Sequence, residues 1–346
     1  MNNPLEELIK TEISESGPMT IGRFMTLALA HPQYGYYMTR DPLGRAGDFV
    51  TAPEISQLFG EMIGVWCVQA WQERGAPDKI ALVECGPGRG TLMADLLRTA
   101  RMFPPFFKAL EVHLLEISPV LKSLQHNALS RYAPTWHESL ETLPEDCPLF
   151  VVANEFLDAL PFNALQRTPE GWQARVITCG PEGRLVFSLC PAEDSVLAKV
   201  PSTLPPAQDG MIYEQAPARE AFVRVLAEKI ERQGGAGLLC DYGPARSGYG
   251  DTFQAVKNHA YQPVLADAGQ ADLTSHVDFE ALKKRVPQAT LQTQGDFLRA
   301  CGIEARAKRL EESDPSVQNG LVRLIGRDQM GDLFKVLWWK NQRSPA

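Results

Sequence analysis

Residues 81–92 read ALVECGPGRGTL: an apolar run, an acid, and then three glycines at every second position. A buried strand that runs into a glycine-rich turn and then a helix is the usual cradle for a nucleotide-like ligand. A dinucleotide fingerprint would space its glycines as GxGxxG. Here Gly86, Gly88 and Gly90 place the third one position early, and Thr91 stands where it would fall. The spacing weakens a nicotinamide or flavin reading, and Pro87 and Arg89 give the loop a different surface. Glu84, two residues before Gly86, sets a carboxylate at the strand end, where it would repel a pyrophosphate and attract an ammonium.

Outward from this stretch the chain alternates strands and helices. Strands are predicted at 80–84, 111–115, 148–153 and 236–240, with helices near 91–102, 119–130 and 214–233, which implies a mostly parallel sheet covered on both faces. The runs WQARVITC and GRLVFSLC read as a hairpin inserted in that core. A helix is expected at 277–285, a strand near 289–293, helical segments over 295–327 and a last strand in DLFKVLWWK, whose tryptophans suit either the sheet or an exposed patch. Residues 1–78 form a helical and loop segment, and 79–341 a core with insertions at 166–213 and 243–285.

Each predicted core strand delivers polar groups to one rim. Glu84 ends the first, and Glu116 closes LEVHLLE, placed to accept hydrogen bonds from ribose hydroxyls. Asn154 and Glu155 end LFVVANE, with Asp158 one helical turn on, and Asp241 and Tyr242 end GLLCDY. An amine-bearing, phosphate-free nucleoside such as S-adenosylmethionine fits acids so placed. The bland reading has Glu84 and Glu116 as solvated strand ends and the glycines as packing devices.

Composition narrows the field further. With 34 basic and 42 acidic residues the net charge is −8 and no long basic run occurs, so nucleic acid gains no electrostatic support as a partner. No stretch approaches the roughly 18 apolar residues that would insert in a membrane. The acidic start MNNPLEELIKTEISESG lacks an apolar targeting core, from which a cytoplasmic location is expected. Seven cysteines form no CxxC and the six histidines show no mutual metal spacing, so no metal is expected.

The glycine loop with its flanking acids resembles the class I S-adenosylmethionine-dependent methyltransferases. More narrowly, HPQYGYY, GDFVTAPEISQLFGE, VECGPGRGTL, NEFLDALP, DYG and ADLTSHVDF together resemble the MidA family, relatives of the mitochondrial complex I assembly arginine methyltransferase. The resemblance runs from about residue 5 to about residue 340. It implies an α/β fold: a doubly wound seven-stranded sheet with an antiparallel last strand, a helical N-terminal segment and cap insertions. It also implies S-adenosyl-L-methionine as cofactor and a protein arginine, on a respiratory complex I subunit, as acceptor. Cys85 stands where the family usually has leucine, a small apolar exchange.

Under this reading the expected cofactor-binding residues are Glu84, Gly86, Pro87, Gly88, Gly90, Glu116, Ile117, Thr51, Glu54 and Asn154. A guanidinium acceptor needs carboxylates to grip it, for which Glu155 and Asp158 are the candidates, with Asn154 positioning cofactor or substrate and His276 able to take up a proton. Strand-end capping is the plain alternative for Glu155 and Asp158, a helix start for Pro53–Glu54, and a structural histidine for His276. Asp48, Ser56, Gln57 and Glu61 share the loop with Thr51, and Tyr34, Tyr36 and Tyr37 suit either an acceptor channel or packing. Rival readings are a cofactor-binding assembly or scaffold protein without turnover, a methyltransferase for a different acceptor, and an NAD-dependent oxidoreductase. Oligomeric state stays open.

Overall fold

The computed structural model describes residues 3–41 and 51–341; Asp48 lies outside them. Its centre is a seven-stranded sheet, whose strands we label in chain order: β1 (Ile80–Cys85), β2 (Leu110–Leu115), β3 (Thr135–His137), β4 (Leu149–Asn154), β5 (Gly235–Tyr242), β6 (Thr290–Thr293) and β7 (Phe334–Asn341). Their order across the sheet is β6-β7-β5-β4-β1-β2-β3. The five strands β1–β5 pair in parallel. Only β7 runs against its neighbours, pairing antiparallel with both β5 and β6. The order reverses between β1 and its two neighbours β2 and β4, which opens a crevice at their carboxyl ends.

The central strands are apolar because both faces are covered: every residue of β1 and of β4 is buried. On one face the helices Gln57–Glu73, Thr91–Ala100 and Gln294–Ala300 pack with Phe150, Leu238 and Val336. On the other, Pro217–Gln233 and Phe279–Arg285 pack with Val83, Val151 and Leu239. The closing strand is part of this interior, since Trp339 is 2% exposed and packs over Gly237. That settles its tryptophans as sheet residues rather than a shared exposed patch.

A second core lies over the crevice. Helices Pro4–Ser16 and Ile21–Ala30 pack against a smaller sheet in which Gly171–Cys179 pairs with Asn163–Thr168, Leu185–Pro191 and Met19–Thr20, and Asn163–Thr168 in turn pairs with Ile212–Gln215. The expected hairpin is therefore present, within a larger sheet that also takes in the N-terminal segment. A three-stranded sheet of Ala260–Gln262, Gln254–Lys257 and Asp272–Thr274 completes the cap.

Candidate active site

The glycine turn is built by backbone geometry. Gly86, Gly88 and Gly90 all adopt positive φ, at 64°, 54° and 83°. A Cβ on Gly86 would lie 2.8 Å from the Phe156 ring, so the turn is closed against β4's exit by having no side chain there. Gly90 starts the helix Thr91–Ala100 in the left-handed conformation, and does not itself line the crevice.

Below the cap the crevice is a cavity of ≈650 Å³. It is lined by Thr51, Glu54, Glu84, Gly86, Pro87, Gly88, Glu116, Ile117, Asn154, Glu155 and Asp158 among the expected residues. Tyr37, Tyr242 and Asp272 join them, from the N-terminal segment, β5 and the three-stranded sheet.

Glu84 is 3% exposed, and its Oε2 has no hydrogen-bond partner among the described residues. Burial raises its carboxyl well above the usual carboxylate range; a Met93 backbone hydrogen bond opposes the rise, and the Glu116 charge adds to it. Asn154 Oδ1 is a second buried oxygen without a hydrogen-bond partner among the described residues. Two stranded acceptors in one cavity suit a ligand that brings N–H donors, such as an amino acid ammonium, and are a poor match for phosphate.

Glu116 is held from behind. Oε1 accepts the Ser118 N–H at 2.8 Å and Oε2 accepts Gln125 Nε2 at 3.0 Å. Gln125 also donates to the Gly88 carbonyl at 2.8 Å, and its own carbonyl accepts the Trp136 indole at 2.8 Å. One buried amide thereby ties the glycine turn to the acid on β2. Ile117, 46% exposed, projects beside it.

The third group follows β4. Glu155 sits at φ 48°, and its Oε1 accepts the Ala52 N–H and Asn154 Nδ2, each at 3.1 Å. Burial and then the neighbouring Asp158 push its carboxyl up to about 7. Asp158 is raised by burial too, against a hydrogen bond from Tyr242 and the charge of Arg219. Asp241, wholly buried, accepts the N–H groups of Leu157 and Asp158 at 3.0 and 3.2 Å and so shapes the turn that presents both acids. The segment around Thr51 packs on this turn: Thr51 precedes the short helix Ala52–Ile55, whose Ala52 N–H donates to Glu155, and Glu54 accepts the Thr91 hydroxyl at 2.6 Å.

Other expected residues lie elsewhere. His276 does not line this cavity. Its ring packs edge-on against Tyr242, centroids 5.5 Å apart, and faces a smaller cavity of ≈150 Å³ with Glu214 and Arg219. The reason is Arg219, 2% exposed, which donates to the carbonyls of Asp158, Leu160 and His276 and pins this backbone in place. Glu61 is buried in ion pairs with Arg98 and Arg306, and Ser56 caps the helix Gln57–Glu73. Tyr36 is core and Tyr34 stacks on His31, leaving Tyr37 as the tyrosine of that trio in the cavity.

Gln125 and Arg219 were not singled out by the sequence; a polar residue inside an amphipathic helix carries no local mark of its partner. Ser118 followed by Pro119 did carry a signal, that of a helix cap.

A sheet order reversing at β1, a glycine turn and two strand-end acids define a class I methyltransferase fold built around S-adenosyl-L-methionine. The chain belongs to the family of S-adenosyl-L-methionine-dependent methyltransferases, which it matches over residues 62–296. It is similar to protein arginine methyltransferase NDUFAF7, mitochondrial, of Xenopus tropicalis, with 36% identity over 94% of this chain and 83% of that one. The Danio rerio protein of the same name is 34% identical over 97% and 86% of the two chains. A crystal structure from Burkholderia thailandensis bound to S-adenosyl-homocysteine superposes with a TM-score of 0.84, at 26% identity, covering 98% of this chain and 92% of that one. These relatives correct one expectation. They are named as mitochondrial proteins, so the cytoplasmic location inferred from the acidic start and the lack of a targeting core does not stand. Charge and hydropathy near a chain start bear on particular import routes, and they do not fix a compartment. Among the described residues, no helix is long and apolar enough to cross a membrane.

Proposed function

We propose that this enzyme methylates the guanidinium of a protein arginine, with Glu155 and Asp158 as the carboxylates that hold it. The carrying observation is the acidic lining of the cavity. Among the described residues eight acids line it, Glu54, Glu84, Glu116, Glu138, Glu141, Glu155, Asp158 and Asp272, against one basic residue, Arg89, which is tied to Asp41 at 2.8 Å. Such a lining favours a cation, and arginine stays charged at any ordinary pH.

In this reading Glu84 accepts the cofactor's ammonium, Glu116 its ribose hydroxyls, and Asn154 a further N–H, while Gly86, Pro87 and Gly88 let the chain approach closely and Ile117 covers the base. Thr51 and Glu54 close the methionine end. The cofactor supplies an electrophilic methyl on a sulfonium; the chain's task is alignment and exclusion of water. Glu155 and Asp158 orient the planar guanidinium and draw positive charge away from the attacking nitrogen. One proton leaves that nitrogen on transfer, and Glu155, poised near neutrality, is placed to take it. His276 contributes through Tyr242 rather than by touching the acceptor.

The relatives' shared name supports a protein arginine, and the acceptor that the MidA resemblance implies is a respiratory complex I subunit. Mass spectrometry of a recombinant complex I subunit after incubation with S-adenosylmethionine tests this: methyl groups should appear on arginine with wild-type protein and be absent with Glu155→Gln.

A further inference from the structure

Asp272 stands at the same cavity wall as Asp158 but comes from the cap. It begins the strand Asp272–Thr274, opposite Val256, and is 6% exposed. The Tyr37 hydroxyl donates to its Oδ1 at 2.7 Å. Burial, then the charges of Asp272 and Asp158, hold the Tyr37 phenol well above its ordinary value, so it stays a proton donor toward Asp272.

Tyr37 is itself fixed from the cofactor side. Its backbone carbonyl accepts the Ser118 hydroxyl at 2.6 Å, and Ser118 N–H donates to Glu116 at 2.8 Å. Ser118 is fully buried. An unbroken run of short contacts therefore joins the acid of β2 to an acid of the cap, through one tyrosine of the N-terminal segment.

We propose that Asp272 is a further acceptor-binding carboxylate, gripping a guanidinium together with Asp158, and that Tyr37 and Ser118 are positioning residues that tie it to the cofactor-binding side. The inference rests on the arginine reading above. A guanidinium presents five N–H donors in a planar fork, whereas the roughly eight acceptor sites of Glu155 and Asp158 already serve Ala52, Asn154, Ala159 and Tyr242, which leaves about four. Asp272 supplies the additional acceptor, and its neighbour Tyr242 bounds the pocket.

The test titrates an arginine peptide, Ac-Ala-Arg-Ala-NH2, into protein saturated with S-adenosylhomocysteine, for wild type, Asp272→Asn and Tyr37→Phe. Expected are peptide binding weaker by about 10-fold or more in D272N and about 3-fold or more in Y37F, with S-adenosylhomocysteine affinity unchanged in both. In turnover the same variants should raise the acceptor KM more than they lower kcat, a split that general loosening of the fold would not produce. Peptide binding by D272N equal to wild type would overturn the proposal and leave the arginine reading intact. No peptide binding and no arginine methylation by wild type would overturn both. Should D272N lose S-adenosylhomocysteine binding as well, Y37F decides: an unchanged peptide affinity there counts against Asp272.

Discussion

Gln125 Nε2 donates to Glu116 Oε2 at 3.0 Å while the same amide nitrogen holds the Gly88 carbonyl at 2.8 Å, so one side chain sets the distance between the glycine turn and the β2 acid. In the proposed site, Glu116 meets the cofactor's ribose at the angle this amide sets. A hydrogen bond to a charged group is worth ~1.5–3 kcal/mol. Gln125→Leu should therefore weaken S-adenosylhomocysteine about 10-fold or more by isothermal titration, without touching the ligand. An unchanged affinity would mean that Glu116 needs no support.

Glu84 should show a conflict between stability and binding. Burial raises its carboxyl, so the folded chain holds that proton more tightly than the unfolded chain does. Stability is then lost as pH rises from the unfolded carboxyl value of 4.5 through the raised folded one, and the cost is fully present above both. Glu84→Gln should raise the Tm of ligand-free protein at pH 8 and cut S-adenosylhomocysteine affinity by about 30-fold or more. A Tm that falls would show that the carboxylate is satisfied without ligand.

The pH profile of methyl transfer should carry Glu155. Its carboxyl is pushed up to about 7, and the proposed mechanism needs it ionised to hold a cation and accept a proton. The sign is fixed: kcat/KM climbs with pH up to about 7 and flattens above it. Glu155→Gln should abolish that limb along with nearly all activity. A wild-type profile flat from pH 5.5 to 8 would remove Glu155 from the proton's path.

Glu61 offers the opposite behaviour. It is buried between Arg98 and Arg306, two guanidinium groups that keep 46% and 37% exposure and can turn to water when it is lost. Glu61→Ala should cost about 1–3 kcal/mol in urea unfolding, discounted for that escape, and leave S-adenosylhomocysteine affinity unchanged. Loss of affinity would tie this network to the site after all.

What could be read in advance follows burial and chain locality. β1 and β4 announce themselves because burial on both faces makes them continuous apolar runs, and the strand-end acids Glu84 and Glu155 follow from where those runs stop, as Glu116 follows from the end of β2. The strand Asn163–Thr168 stayed hidden because NALQRT buries two adjacent residues, Ala164 and Leu165, and leaves the rest half-buried, without alternation. Met19–Thr20 is two residues long and exists only through its partners Val176 and Ile177. His276 drew notice for its chemistry, yet Arg219, 57 residues away, decides where its backbone lies. Long-range polar contacts of this kind leave no periodicity behind.

The central claim is that the acids of the cavity serve methyl transfer to arginine. The most direct measurement incubates wild-type protein and Glu155→Gln with methyl-labelled S-adenosylmethionine and a complex I subunit, then identifies the labelled amino acid after hydrolysis. Label on methylarginine with wild type, and none with Glu155→Gln although it still binds S-adenosylhomocysteine, is the predicted result. Label on another residue type, or equal arginine label from both proteins, would contradict it.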